Sequence, residues 1–137
     1  MVVDTVVFAY AYFAEPEFGS MALEALSRVV GSIVAPDAVR PELVSVAWKL
    51  VRAGRLSEEA ARAGLRDAND ALERVVRTDE LWDRALLPAV ERTHSPYDTL
   101  FVALAEREGD SLLTFDRALA RKFQERALLV PDFLARP

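Results

Sequence analysis

Four carboxylates in this 137-residue chain stand where side chains could act together: Asp4, Glu42, Asp98 and Asp116. Asp4 directly follows the apolar run Met1-Val2-Val3, and Asp116 follows Leu112-Leu113-Thr114 by two residues. Glu42 and Asp98 each fall in the first turn of an amphipathic stretch, after Pro41 and after Ser95-Pro96. Carboxylates gathered without counter-charge repel one another, and burying them unpaired costs several kcal/mol. Hard divalent cations remove that cost, and an all-oxygen site with open positions suits Mg²⁺ or Mn²⁺. Two such ions about 4 Å apart activate a water and stabilise the leaving oxygen in an in-line phosphodiester displacement. Helices starting near Glu42, Asp98 and Asp116 would add positive ends that favour anions.

Short apolar runs alternate with amphipathic stretches along the chain. Strands are expected at 1–3, 32–35, 75–76 (an edge strand), 112–114 and 128–130. Residues 5–13 form too long a run for a typical strand and predict a helix packed into the core. Further helices are expected at 20–30, stopped by Gly31, and from Pro41 to Gly54. Ser57 with Glu58 and Glu59 opens another that runs to about Arg74. The remaining three are expected at 79–92, from Ser95-Pro96 to Gly109, and at 117–123 behind an Asp116 cap. Such alternation implies α/β architecture: a parallel sheet with right-handed crossovers and helices on both faces. Ligands bind beyond the carboxyl ends of such strands, where all four acids are expected to meet.

Composition narrows the classes. Hydrophobic residues make up 52% and charged residues 28%, too apolar for a disordered chain. The absence of cysteine excludes a thiolate nucleophile or thiolate metal site and suits a reducing cytoplasm. The longest apolar run, 6–14, is nine residues, against about 20 for a bilayer span. No Lys or Arg precedes Arg28, so no signal peptide is expected. A net charge of −5 argues against wrapping nucleic acid but not against cutting it with carboxylate-held ions.

Simpler roles exist for each acid. Ser95-x-x-Asp98 resembles a capping box, Asp116 an N-cap, and Glu42 a complement to a helix dipole. Asp4 ends a strand and gains no cap from it. His94, the only histidine, is expected to be a boundary or surface residue, since a Ser–His–Asp hydrolase would need a nucleophile elbow that is absent. Trp48 and Trp82 read as core or dimer contacts. Phe8, Tyr10, Tyr12 and Phe13 read as core or a partner groove, and Arg52, Arg55, Arg117 and Arg121 as a solvated face unless they meet RNA phosphates. A phosphoacceptor receiver would need a lysine where Pro131 follows the last strand, and an Asp-nucleophile phosphatase an acid where Val6 stands.

The segments Val2-Val3-Asp4-Thr5, Pro41-Glu42-Leu43, Ser95-Pro96-Tyr97-Asp98-Thr99-Leu100 and Leu113-Thr114-Phe115-Asp116-Arg117 occur in the order seen in PIN-domain ribonucleases. With Ala103-Leu104-Ala105-Glu106, the chain most resembles the VapC-type toxins of prokaryotic toxin–antitoxin pairs. That resemblance implies a single PIN-like domain over 1–137, a three-layer α/β/α fold around a short, mostly parallel sheet. It further implies Mg²⁺- or Mn²⁺-dependent cleavage of single-stranded RNA, often a structured RNA such as tRNA. Homodimers and inhibition by a cognate antitoxin protein are implied as well. Carried over residue by residue, Asp4, Glu42, Asp98 and Asp116 are the catalytic, metal-holding quartet. Two positions depart from the family: Val6 where Ser or Asn is common, and Ser45 where Asn is frequent. Both remove hydrogen-bonding capacity near the ligands and motivate the alternative of a PIN module that binds RNA or a protein without cutting.

Overall fold

A computed structural model describes residues 1–137. In chain order the elements are β1 (Val2–Val3), α1 (Thr5–Tyr12), α2 (Gly19–Arg28), β2 (Val34–Pro36), α3 (Val39–Arg52) and α4 (Glu58–Ala71). Then follow β3 (Arg74–Val76), a 3₁₀ turn (Thr78–Glu80), α5 (Trp82–Arg92), α6 (Pro96–Glu108), β4 (Leu112–Thr114), α7 (Arg117–Lys122), β5 (Ala127–Leu129) and α8 (Val130–Leu134). The five strands form one sheet in the order β3-β2-β1-β4-β5, every pair parallel. This is the expected α/β/α arrangement, and β3 is the expected edge.

The order reverses at β1, whose two neighbours lead to opposite edges of the sheet. Such a switch point opens a crevice at the carboxyl ends of the strands. Val2 and Val3 are fully buried, as are Leu112 and Leu113 beside them, which is why these strands read as apolar runs without alternation. Helix α6 is apolar on all sides, with Thr99 through Ala105 buried. It packs on β1, β2 and β4 and is covered from outside by α5.

Several boundaries differ from the sequence pattern. Helix α2 ends at Arg28 because Val29 turns to extended backbone, ψ 122°, leaving Val30 95% exposed and Gly31 at φ 84°. The second strand runs through Pro36, in register with Val76. The stretch 79–92 divides into the 3₁₀ turn and α5. At the end of the chain, β5 stops at Leu129 and buried Val130 begins α8, with Pro131 in its first turn. Trp48 and Trp82 do not join the core; they are 54% and 68% exposed, and Trp48 carries the Arg52 guanidinium 4.8 Å from its ring centroid.

Helix α4 crosses the end of α1 at Gly64. A Cβ there would lie 2.4 Å from the Tyr12 carbonyl oxygen and 2.6 Å from the Phe13 ring. Alanine favours a helix over glycine by about 1 kcal/mol, but a backbone carbonyl cannot move aside cheaply. Gly64→Ala is therefore expected to lose about 1–3 kcal/mol net, read from the urea midpoint. An unchanged or higher midpoint would contradict this packing.

Candidate active site

All four acids singled out in the sequence line one open cavity of about 590 Å³. Asp4 leaves the carboxyl end of β1 beside β4, its N–H bonded to the Leu113 carbonyl at 3.0 Å. Its Oδ2 accepts a 2.6 Å hydrogen bond from the hydroxyl of Thr114, a fully buried residue. The Thr114 Oγ1 in turn accepts from the Asp116 N–H at 3.0 Å. One hydroxyl thus ties the first and last acids together across the switch point. Thr114 was not singled out in the sequence; a Thr ending a strand two residues before an acid is the signal that could have found it.

Asp116 caps α7, with Oδ1 accepting from Ala118 N and Leu119 N at 2.8 and 3.0 Å. Its second oxygen makes no hydrogen bond. Glu42 lies in the first turn of α3, and its Oε1 is buried without a partner. The hydroxyl of Thr5 is also buried without one. The two groups are near enough for Thr5 to favour the charged carboxylate, but they do not form a well-shaped hydrogen bond. Asp98 lies in the first turn of α6. The capping-box role open to it is not realised: Ser95 Oγ accepts from Tyr97 N, and Asp98 Oδ2 turns to His94 Nε2 at 2.8 Å.

His94 does lie at an element boundary, in the turn between α5 and α6, but it is not a surface residue. Its side chain is only 8% exposed and stands edge-on to Phe123. One ligand atom each from His94, Asp98 and Asp116 lie within 4.8 Å of one another. The i,i+4 spacing of His94 and Asp98 was the available clue. The apolar wall of the cavity includes Val6, Tyr10, Val46, Leu50 and Phe115, with Arg55 at its rim. Tyr10, Phe18 and Phe115 form a cluster with ring centroids 5.0–5.7 Å apart.

The PIN domain family model matches residues 1–123. The chain belongs to the PIN-domain family. It is 33% identical over 133 residues to Ribonuclease VapC3 of Pyrobaculum aerophilum, covering 96% of this chain and 98% of that relative. Among solved structures it is similar to PAE2754 from the same organism, with TM-score 0.73 and 25% identity over 98% of this chain and 86% of that one. It shares its fold with Mycobacterium tuberculosis VapC20, a sarcin-ricin-loop-cleaving toxin, at TM-score 0.68 and 22% identity, covering 88% and 92%.

The electrostatics of this PIN-domain cavity are those of crowded acids. Burial pushes the Asp4 carboxyl up to about 6, against the Thr114 hydrogen bond, and the charges of Asp98 and Asp116 add to the rise. Burial and the charge of Asp4 push Glu42 up to about 7. A carboxyl whose folded pKa is raised stabilises the fold most below its unfolded pKa. That contribution is lost as pH rises through the folded value. With chelator present, Asp4→Asn is expected to be more stable than the parent at pH 8, by up to about 3 kcal/mol, with the gap closing toward pH 4. Urea denaturation at the two pH values tests this, and a less stable variant at pH 8 would contradict it.

Proposed function

We propose that this chain, as one PIN-like domain, is a metal-dependent endoribonuclease of the cytoplasm and the toxin of a toxin–antitoxin pair. The convergence of Asp4, Glu42, Asp98 and Asp116 on one open cavity at the switch point carries this reading. Likeness to a VapC ribonuclease over nearly the whole chain supports it. The donor set fits a hard divalent cation. It is rich in carboxylate oxygen, the Glu42 and Thr5 oxygens lack partners, and two acids have raised pKa values, so the charged form needs compensation. Mg²⁺ or Mn²⁺ held by the quartet would supply an activated water and neutralise charge on the phosphodiester.

The chain's own groups do the positioning. Thr114 fixes the rotamer of Asp4 and the backbone of Asp116 through one hydroxyl. The N-terminal turns of α3 and α6 bring Glu42 and Asp98, and those helix ends favour the anionic substrate. Arg55 stands at the rim, where its guanidinium suits an RNA phosphate. The aromatic and aliphatic wall beside the acids offers a face for a base, as stacking surfaces do for single-stranded nucleic acid.

Asp4→Ala and Asp98→Asn are each expected to lower RNA cleavage by roughly 10²-fold or more while circular dichroism stays unchanged. Chelation is expected to abolish cleavage by the parent, and Mg²⁺ or Mn²⁺ to restore it. Retained cleavage in either variant would refute the quartet. Tight metal-independent RNA binding without cleavage on any substrate would favour the non-cutting module instead.

The homodimer is proposed to form through α5. This helix buries only Ala85 and exposes Trp82, Leu86, Leu87 and Val90 by 61–68%, with Tyr97 67% exposed at the start of α6. A contiguous apolar stripe of this kind marks an interaction surface, and a two-fold dimer would bury it against itself. Leu86→Arg is expected to convert a dimer to a monomer by light scattering; a dimer that survives the change would exclude this surface.

A further inference from the structure

We propose that His94 is a nitrogen ligand of the cation site, so that one position is a mixed imidazole–carboxylate one formed by His94, Asp98 and Asp116. This assignment rests on the acidic-site reading above and adds to it a residue that the quartet does not contain. The geometry is that of a shared ion. The three ligand atoms lie within 4.8 Å of one another, and cation–ligand bonds of about 2.1–2.4 Å place opposite ligands that far apart. His94 Nε2 is already 2.8 Å from Asp98 Oδ2, and Asp116 keeps one oxygen free of its capping role. Asp98 and Asp116 line the open cavity together with Thr5, whose hydroxyl is buried beside Glu42 without a well-formed partner, and His94 is joined to that cavity through Asp98. The polar wall is thus short of a group to bind.

The imidazole is held in place by devices that a surface residue would not need. Thr93, immediately before it, sits at φ 49°, a left-handed conformation costly for a β-branched residue. Its carbonyl oxygen accepts from Lys122 Nζ at 2.6 Å. Arg92 pairs with Glu125 at 2.6 Å, bonds the Lys122 carbonyl oxygen and covers the Phe123 ring, with which His94 makes a T-shaped contact. The turn between α5 and α6 is therefore pinned to α7, which Asp116 caps. Both sides of the proposed position are fixed to one another.

An imidazole ligand alters metal preference. Mg²⁺ is bound through oxygen, whereas first-row transition ions accept nitrogen as well. His94 should therefore raise affinity for Mn²⁺ relative to Mg²⁺. His94 is the chain's only histidine, so in tag-free protein an imidazole signal has a single source.

The test is pulsed electron paramagnetic resonance of the full chain loaded with Mn²⁺ at pH 8, with Mn²⁺ and Mg²⁺ affinities measured on the same samples. The parent is expected to show ¹⁴N modulation from a directly bound imidazole, absent in His94→Ala and His94→Gln. Both variants are expected to weaken Mn²⁺ by about tenfold and Mg²⁺ by less than about twofold, with circular dichroism unchanged. His94→Gln keeps a donor for Asp98, so it separates ligation from mere orientation of that carboxylate. Mn²⁺ binding that depends on Asp98 but lacks ¹⁴N modulation would overturn the proposal and leave the acidic site standing. So would an equal loss of Mn²⁺ and Mg²⁺ in the variants. Failure of the parent to bind Mn²⁺ at all would overturn the acidic-site reading, and this ligand with it.

Discussion

A carboxylate buried at the edge of a parallel sheet must find a proton, a hydrogen bond or a cation, because desolvation alone would drive it to the neutral form. Asp4 is that carboxylate. It is buried where β1 ends, receives one hydroxyl from Thr114, and shares the cavity with Glu15, Glu42, Asp98 and Asp116. The Thr114 hydrogen bond does not offset the burial, which still pushes the Asp4 carboxyl up to about 6. Much else in this molecule serves to hold that unfavourable cluster together. The fold gathers the charges, and a bound cation would turn their cost into affinity.

The scaffold tolerates this because its stability lies elsewhere. A cluster of 32 buried apolar residues runs from Val2 to Val130. Helix α6, buried from Thr99 to Ala105, anchors Asp98 one residue before that stretch begins. Thr99 continues the anchoring, its hydroxyl bonded to the Ala85 carbonyl at 2.7 Å. That bond locks α5 onto α6 just where the acid emerges. The acids project from the ends of stiff elements, so repulsion among them cannot be relieved by moving apart. Preorganisation of this kind is what a metal or transition-state site requires.

How much of this could be read from the residues depended on whether a feature followed from chain direction or from side-chain direction. Asp4 and Asp116 were legible because apolar runs of two or three residues mark buried parallel strands, and parallel strands bring their carboxyl ends to one edge. Glu42 and Asp98 were legible from helix starts. The His94–Asp98 contact was not, because it depends on the left-handed turn at Thr93, which favours no particular residue pattern when the residue is not glycine. Ser95 and Asp98 suggested a capping box, but the imidazole competes for the carboxylate. Helix α8 was hidden because Leu128-Leu129-Val130 reads as a single strand. The chain in fact turns helical at Val130, which is buried. Val30 misled in the opposite sense: its position continued the helical period, yet it faces water.

The overall charge of −5 and the acidic cavity bear on how the proposed substrate would be met. A polyanion approaching four carboxylates is repelled unless cations stand between them, and Arg55 is the only basic residue lining that cavity. Inside the cavity, phosphate affinity that ordinarily comes from Lys and Arg would have to come largely from bound divalent ions. Binding and chemistry would then share one requirement, so a cation-free molecule would be poor at both. The same electrostatics extend to the proposed antitoxin. Any partner that presents a cationic side chain to Asp4, Glu42, Asp98 and Asp116 would supply the compensation that the acids lack. It would compete with the metal for the same charge and remove the attraction for RNA in one step.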